Sequence, residues 1–258
     1  MSLSRLALRL VTVQALKNAT LAGPRVYDSA VDPIDLQVQD RREPFAVVLT
    51  DDHTRTTEGR DLRHGSDVCD LVIEIAVAAR VEASVPGDGA PQDVVVPHTD
   101  AGMEMVLDLM GHQIAEALMG GTSPYAALWR DFAMTATKIA SLRGAASDNG
   151  VRYAARQIVI SCNLLSDPVR GEVAAQGPWA ALLTLMEASA ELAGLGALLR
   201  HAIEGDALLP SEAVVASILG LSPATVDFIG LTPARDNGGA AVPVSEIGTD
   251  ARPFGAGE

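Results

Sequence analysis

The chain has very little lysine. Among its 258 residues only Lys17 and Lys138 are lysines, and arginine supplies the rest of the positive charge. Acidic residues outnumber basic ones, and the formal net charge is −14. Because nucleic-acid phosphates attract the opposite sign, we expect no specific binding of DNA or RNA. Arginine makes bidentate contacts that suit protein–protein interfaces, although codon bias explains an arginine excess equally well.

Cysteines, aromatic residues and long apolar runs are also scarce. Cys69 and Cys162 are the two cysteines, and both fall in predicted strands, which indicates buried thiols in a reducing compartment. No apolar run approaches the roughly 18 residues of a membrane helix. The N-terminal segment could be taken for a signal peptide, but Arg9 and Lys17 interrupt its apolar positions. We therefore predict no membrane contact and an amphipathic helix over residues 3–19.

The sequence lacks the motifs that mark most catalytic and cofactor sites. It contains no HExxH, CxxC or GxSxG element, and its glycine-rich stretches lack the spacing of phosphate-binding loops. We therefore expect a protein that is not an enzyme and that carries no cofactor. An alternative of a different class stays open, namely a small metal-dependent hydrolase. Its candidate ligands are Asp51, Asp52, His53 and His98, with His64 and Asp100 as further members.

An unusually long strand is predicted at residues 67–82. Apolar residues occupy the odd positions from Cys69 to Val81, and neither Gly nor Pro interrupts the stretch. At about 3.3 Å per residue this strand would be about 50 Å long, well above the usual length. We expect its ends to project beyond the sheet and to contact a neighbouring subunit. Its charged positions are Asp70, Glu74, Arg80 and Glu82.

The pattern of elements around this strand predicts an α+β fold. We expect a small, mostly antiparallel four-stranded sheet with helices packed on one face. The other strands lie at residues 25–28, 44–50 and 153–165, and a polar loop covers residues 51–66. Helices are predicted at 3–19, at 99–120 and from 124 towards 142, followed by a turn at 143–150.

The composition changes after residue 168. We assign residues 1–168 to the α+β domain and residues 169–258 to a helical extension with a loosely ordered C-terminal tail. Gly177-Pro178-Trp179 opens a Leu- and Ala-rich helix of about 25 residues. A shorter helix begins near Ser211, and Gly and Pro dominate from Thr232 onwards.

An acidic stripe follows the helix predicted at residues 99–120. Its members recur every four residues, and no Lys or Arg occurs between Val81 and Trp129. Such a stripe is either a solvated helix face or a surface that meets a partner, and the sequence leaves both open. The stripe consists of Asp100, Glu104, Asp108, His112 and Glu116.

Several stretches resemble the tail terminator proteins of tailed bacteriophages, also called tail completion or head–tail joining proteins. The resemblance begins with GPRVYDSAVDPID at residues 23–35 and with residues 44–52. It continues in the long strand, in the helix around residues 103–118 and in RGAASDNGVRYAARQIVISCNLL at residues 143–165. It covers roughly residues 3–168, and the segment after residue 170 lies outside the compact family core.

The resemblance implies a structural protein of the virion, assembled in the host cytoplasm. Subunits of this family form a ring, usually six-fold, that caps the head-proximal end of the tail tube. The implied partners are copies of the same chain, the tail tube protein, a neck connector or stopper protein and a tail sheath. A neck or head-completion protein on the portal side is the alternative within the same class. The candidate interface residues are Asp51, Asp52, His53, Asp70, Glu74, Arg80, Glu82, Glu104, Asp108 and Glu116.

Overall fold

The computed structural model describes residues 2–29, 43–57, 65–80, 99–148, 151–169, 171 and 177–204. Residues 1–206 form one compact unit, and every described residue lies within it. The helix predicted near Ser211 and the C-terminal tail lie outside the described residues. The described elements, in chain order, are α1 (Leu3–Leu16), β1 (Val26–Asp28), β2 (Phe45–Thr57), β3 (Gly65–Arg80), α2 (Asp100–Met119), α3 (Pro124–Phe132), β4 (Ala133–Asp148), β5 (Val151–Leu164), α4 (Pro178–Ala188) and α5 (Ala193–Glu204).

The strands form one five-stranded sheet in the order β1-β2-β3-β5-β4. β1 runs parallel to β2, and every other neighbouring pair is antiparallel. The α+β class is therefore confirmed. The predicted four-stranded, mostly antiparallel sheet is roughly compatible with this arrangement but not exact, because β4 is a fifth strand that the sequence pattern did not indicate.

β4 occupies the segment that we predicted as the end of a helix and a turn. α3 ends at Phe132, and the chain continues directly into a strand that pairs with β5 as far as Asp148. At the end of this pairing, Asp148 pairs with Val151, the first residue of β5. Pairing with β5 thus overrides the helix propensity of the alanines, Lys138 and Leu142.

β3 is the central strand of the sheet and not a projecting one. Near its start, Val68 pairs with Thr54 of β2 on one side and with Asn163 of β5 on the other. Its last residue, Arg80, still pairs with Val151 of β5. The prediction of free strand ends is therefore wrong for the described range. The neighbouring hydrogen bonds instead hold this long strand inside the domain.

β2 is much longer than predicted. It does not stop at Asp51-Asp52-His53 but continues to Thr57, antiparallel to β3. Thr50 pairs with Leu71 and His53 pairs with Cys69, so Asp51 and Asp52 together face the single residue between those partners. β2 therefore has one residue more than β3 at this point. Such an insertion is a β-bulge, which bends a strand and interrupts its pairing locally. The prediction of a loop at residues 51–66 is therefore wrong for residues 51–57, which belong to β2, and for residues 65–66, which belong to β3.

The main hydrophobic core lies between one face of the sheet and all five described helices. β3 contributes its odd-numbered side chains to this core, whereas Phe45, Val47, Ala76 and Ala155 form a smaller cluster on the other face. The helix predicted at residues 99–120 is confirmed as α2, and Thr99 Oγ1 accepts a hydrogen bond from the Gly102 amide at its start. The core residues of β3 are Cys69, Leu71, Ile73, Ile75 and Val77.

The region predicted as one helix after Gly177 is two helices, α4 and α5, joined by residues 189–192. Both pack into the main core. The ring of Trp179 meets that of Phe132 edge to face, with 4.9 Å between the ring centroids. The Trp179 indole N–H donates to the carbonyl of Ser166 over 3.4 Å. These contacts make α4 and α5 part of the unit formed by residues 1–206.

A pair of isoleucine substitutions tests this division between core and surface. Ile73 is fully buried, whereas Ile139 is 68% exposed. We expect Ile73→Ala to lower the free energy of unfolding by about 2–5 kcal/mol, because it removes buried apolar groups and leaves a cavity. Ile139→Ala, the matched control, should change it by less than about 0.5 kcal/mol. Equal effects in urea unfolding would contradict the described burial.

A pair of truncations tests the role of α4 and α5. Ending the chain after residue 170 removes Trp179 and the other core residues of both helices, so Phe132 loses its aromatic partner. We expect the free energy of unfolding to fall by more than about 5 kcal/mol, since several large side chains leave the core together. Ending the chain after Asp206 keeps every described element and should leave the unfolding transition cooperative. Circular dichroism during urea unfolding measures the stability of both truncated chains. Similar unfolding midpoints for the two would contradict this expectation.

Candidate subunit interface at the sheet edge

The outer strand β4 is the most exposed part of the sheet. Residues 134–139 and 141–144 are all exposed, although this strand is as long as the central one. Three large apolar side chains stand out, namely Met134 at 61%, Ile139 at 68% and Leu142 at 59% exposure. A long edge strand with exposed apolar groups is a template for pairing with another chain. We refer to β4 from Met134 to Gly144 as the β4 edge.

The β4 edge has an irregular beginning and a regular continuation. Its pairing with β5 shifts between Ala133 and Thr135 and again between Ala136 and Lys138. From Lys138 to Asp148 the register is continuous. Bulges discourage strands from adding to an edge, and the continuous part lacks them. The regular portion is therefore the part of this edge best suited to receive a further strand.

The acidic stripe of α2 is largely engaged within the chain. Glu104 receives hydrogen bonds from Arg143 of β4 and from Arg156 of β5, the latter over 3.1 Å. Arg156 also contacts Asp108. The hydrogen bond from Arg143 lowers the pKa of Glu104. These pairs fasten α2 to β4 and β5, which weakens the reading of Glu104 and Asp108 as a free acidic surface, whereas Glu116 is exposed.

Local spacing could not reveal these partners. Arg143 and Arg156 lie far from α2 in the sequence, and antiparallel pairing of β4 with β5 places them opposite each other. α2 also exposes Met105, Leu109 and Met119. The exposed side of this helix is therefore mixed in character, with apolar side chains beside charged ones.

A buried ion cluster connects α1, β2, β3 and the segment after β5. The Arg55 guanidinium donates to both carboxylate oxygens of Asp67 over 2.6 Å and to Asp167 Oδ2 over 2.8 Å. The Asp67 side chain is only 2% exposed. Hydrogen bonds to Asp67, against the cost of burial, raise the pKa of Arg55. Sequence patterns missed this cluster because its members come from separate elements.

Asp167 also caps the first helix. Its Oδ1 accepts hydrogen bonds from Ser2 Oγ (2.7 Å), the Ser4 amide (2.9 Å) and Ser4 Oγ (3.0 Å). A carboxylate at this position satisfies free amide groups and interacts favourably with the helix dipole. Burial acts to raise the pKa of Asp167, but the hydrogen bonds from Arg55, Ser4 and Ser2 outweigh it and lower the pKa.

The residues predicted for a metal site do not converge in the described structure. Asp51 and Asp52 are exposed on the bulge of β2. His53 is largely buried, with its Nε2 3.5 Å from Asp67 Oδ1, but Arg55 already engages that carboxylate. Among the described residues, no group of three or more His, Cys, Asp or Glu side chains is placed to hold a metal ion. His64 and His98 lie outside the described residues.

Two of the predicted interface charges lie within the sheet. Ser161 Oγ donates to Asp70 Oδ1 over 2.5 Å, and Gln157 Nε2 donates to Glu74 Oε1 over 3.0 Å. Both carboxylates thus have partners on β5. Glu82 and the side chain of Arg80 lie outside the described part of the chain, and a contact between subunits at these positions stays a prediction.

The two cysteines are buried thiols, as predicted. Cys69 and Cys162 are paired residues on β3 and β5, and both are fully buried. Burial raises the pKa of Cys69 to about 11 and that of Cys162 to about 12. Because the thiolate is the nucleophilic form, both groups are poor nucleophiles near neutral pH.

The Asp167 cap gives a test that depends on pH. We expect Asp167→Asn to lower the free energy of unfolding by roughly 1–3 kcal/mol at pH 7, because charged hydrogen bonds are lost. The pKa of Asp167 is lowered from 3.8 in the folded chain. The carboxylate therefore stabilises the fold above that value, and its contribution disappears as the pH falls through the folded pKa.

The difference between the natural chain and Asp167→Asn should accordingly shrink below about pH 4, measured by urea unfolding from pH 7 to pH 2. Glu187→Gln is the matched control, since Glu187 is an exposed carboxylate that also pairs with an arginine, Arg200. That control should have a much smaller effect. A difference for Asp167→Asn that is constant across this pH range would contradict the assigned role.

Within the described residues, no helix combines the length and the apolar character needed to cross a membrane. Neither a family model nor a curated protein matches this chain. The resemblance described from the sequence stretches is therefore unsupported by these comparisons, and the function that it implies remains a proposal.

Proposed function

We propose that this chain is a structural subunit of a bacteriophage tail terminator ring. In this role, copies of the chain form a closed ring on the head-proximal end of the tail tube. The ring stops growth of the tube and offers a surface to the neck of the capsid. The subunit acts by binding other proteins and not by catalysing a reaction.

The observation that carries this proposal is the exposed β4 edge. Ile139 and Leu142 are more than half exposed on a strand that ends a long sheet. An exposed edge of this kind invites unwanted association unless a specific partner covers it. A ring subunit meets this condition, because each copy has a neighbour on either side. That this ring is a tail terminator ring is inferred from the sequence resemblance.

The α+β architecture is compatible with the proposal and does not carry it, since one fold serves many functions. The buried Arg55–Asp67–Asp167 cluster contributes a rigid connection between the N-terminal helix and the sheet. Rigid placement of an edge strand is useful in an assembly, because each contact must repeat around a closed ring. The remaining proposed neighbours are the tail tube protein, a neck connector or stopper and a tail sheath.

Tube capping is the direct test of the proposed function. The purified full chain is added to a polymerising tail tube protein, and tube length is measured by electron microscopy. We expect rings at one tube end and a shortened, narrower length distribution. The variant Ile139→Asp/Leu142→Asp should fold but fail to cap, since both side chains are exposed in the subunit.

Val169→Asp provides the matched control, because Val169 is 45% exposed and lies outside the strands. It should cap as the natural chain does. Tubes that grow to their usual lengths beside the natural chain would refute the terminator role. A chain that binds portal-side neck components instead of tubes would establish the alternative of a neck or head-completion protein.

A further inference from the structure

The layer of helices stops one strand short of the outer edge of the sheet. On β5, Ile160 and Cys162 are buried in the main core. Their partners on β4 are Ile139 and Ala136, and directly opposed residues share one face of a sheet. Both partners are nevertheless exposed, as is Ser141 on the same face. We refer to the helix-side surface of Ala136, Ile139 and Ser141 as the β4 shelf.

α2 runs alongside this shelf. Near the start of the helix, Glu104 contacts Arg143 of β4. Further along, a Cβ added to Gly111 would lie 3.8 Å from Cδ1 of Ile158 on β5. Because Ile158 pairs with Ser141, the helix advances from the level of Arg143 towards the beginning of β4. One side of α2 therefore faces the β4 shelf.

The side of α2 that faces the shelf carries small and apolar side chains. Ala115 and Met119 follow Glu104 by eleven and fifteen residues, a spacing that returns them to the same side of an α-helix. Both are exposed, Met119 at 64%. These two side chains and Ile139 thus border a trough between α2 and the outer strand.

The dimensions of the trough suit one further α-helix. Ala136–Ser141 extends about 17 Å, which equals the rise of about 12 helical residues. α2 packs on both β3 and β5. Packed helices lie about 8–10 Å apart, which is about two strand spacings. A helix beside α2 would therefore lie over β4, cover Ile139 and complete the helix layer.

The charges around the trough favour a basic partner. α2 contains no Lys or Arg, and Asp108 and Glu116 are exposed on it. The arginines of the neighbouring strands, Arg143 and Arg156, already pair with carboxylates of α2. Lys138 pairs with a residue that alternates with the core positions of β5, so it lies on the opposite face of the sheet. An occupant with Lys or Arg beside its apolar side would complement this surface.

A second copy of this chain is a poor occupant of the trough. Each described helix contributes buried side chains to the main core of its own subunit, so none of them can leave to bind a neighbour. Two copies would also bring together chains that each carry a formal net charge of −14. A helix from another protein, apolar along one side and basic beside it, suits both the shape and the charge.

We propose that the β4 shelf and the facing side of α2 bind a basic amphipathic helix of a partner protein. Ile139 and Met119 pack against the apolar side of this helix, and its basic residues pair with Asp108 and Glu116. This inference does not depend on the proposed ring, because it concerns the helix side of β4 and a partner other than this chain. Within a ring, that partner is a tube or neck protein.

A model peptide tests the proposed chemistry of the partner. The probe is a fluorescein-labelled peptide of about 14 residues, made of Leu and Lys at helical spacing. Its fluorescence anisotropy is followed as the purified full chain is added at about 0.15 M salt. We expect saturable one-to-one binding. A peptide with Glu in place of Lys, and one with Leu and Lys strictly alternating, should each bind about tenfold more weakly or worse.

The sheet register supplies a matched pair of variants for locating the site. Ile139 and Leu142 are similarly exposed on one strand. Leu142, however, pairs with Gln157, which shares the opposite face with Ala155 of the smaller cluster. Ile139→Gln should raise the Kd of the Leu/Lys peptide about tenfold, whereas Leu142→Gln should change it less than about twofold. Glu116→Lys should raise it about fivefold, because it replaces an attractive charge with a repulsive one.

The opposite outcomes overturn the inference. Equal effects of Ile139→Gln and Leu142→Gln, including no effect of either, would place the peptide away from the β4 shelf. Equal affinities for the three peptides would exclude a basic helix as the partner, and so would the absence of binding. Tube capping is a separate measurement. Binding at the shelf without capping would refute only the proposed function, whereas capping without such binding would refute only this inference.

Discussion

The structure depends on the requirement that β3 hydrogen-bond on both sides while burying one face. β3 pairs with β2 and with β5, and its side chains from Cys69 to Val77 form the centre of the main core. From Val68 to Ala76 this strand therefore has no free edge. Among the described strands, β4 and the part of β2 beyond Val48 each have one side without a paired strand, and residues 65–67 and 77–80 of β3 are paired on one side only.

Electrostatic contacts hold the elements in the positions that the sheet requires. Asp167 joins the start of α1 to Arg55, and Arg55 joins β2 to Asp67 of β3. Glu104 joins α2 to the arginines of β4 and β5. Most of the acidic excess that could be read as a docking surface on α2 thus has an internal use.

Elements with a strong local signal were predictable. The alternation in β3, the N-cap and apolar stripe of α2, and the α+β class all follow from side-chain period and capping chemistry. The sequence pattern predicted the wrong secondary structure where two local conformations have similar propensities. Residues 133–142 contain good helix formers, and only pairing with β5 makes them a strand. Asp51-Asp52-His53 resembles a strand terminator, and only the bulge lets β2 pass through it.

The sequence by itself determined the periodicity of β3, the scarcity of lysine and the strongly negative net charge, because these depend on composition and on short-range order. It also determined that both cysteines occupy buried strand positions. Tertiary structure alone decided that β3 is central, that Arg143 and Arg156 pair with Glu104 and Asp108 of α2, and that Arg55 meets Asp67 and Asp167 in one cluster. The reason is physical. Strand pairing joins residues that are distant along the chain, and the register that selects the partners has no local signature.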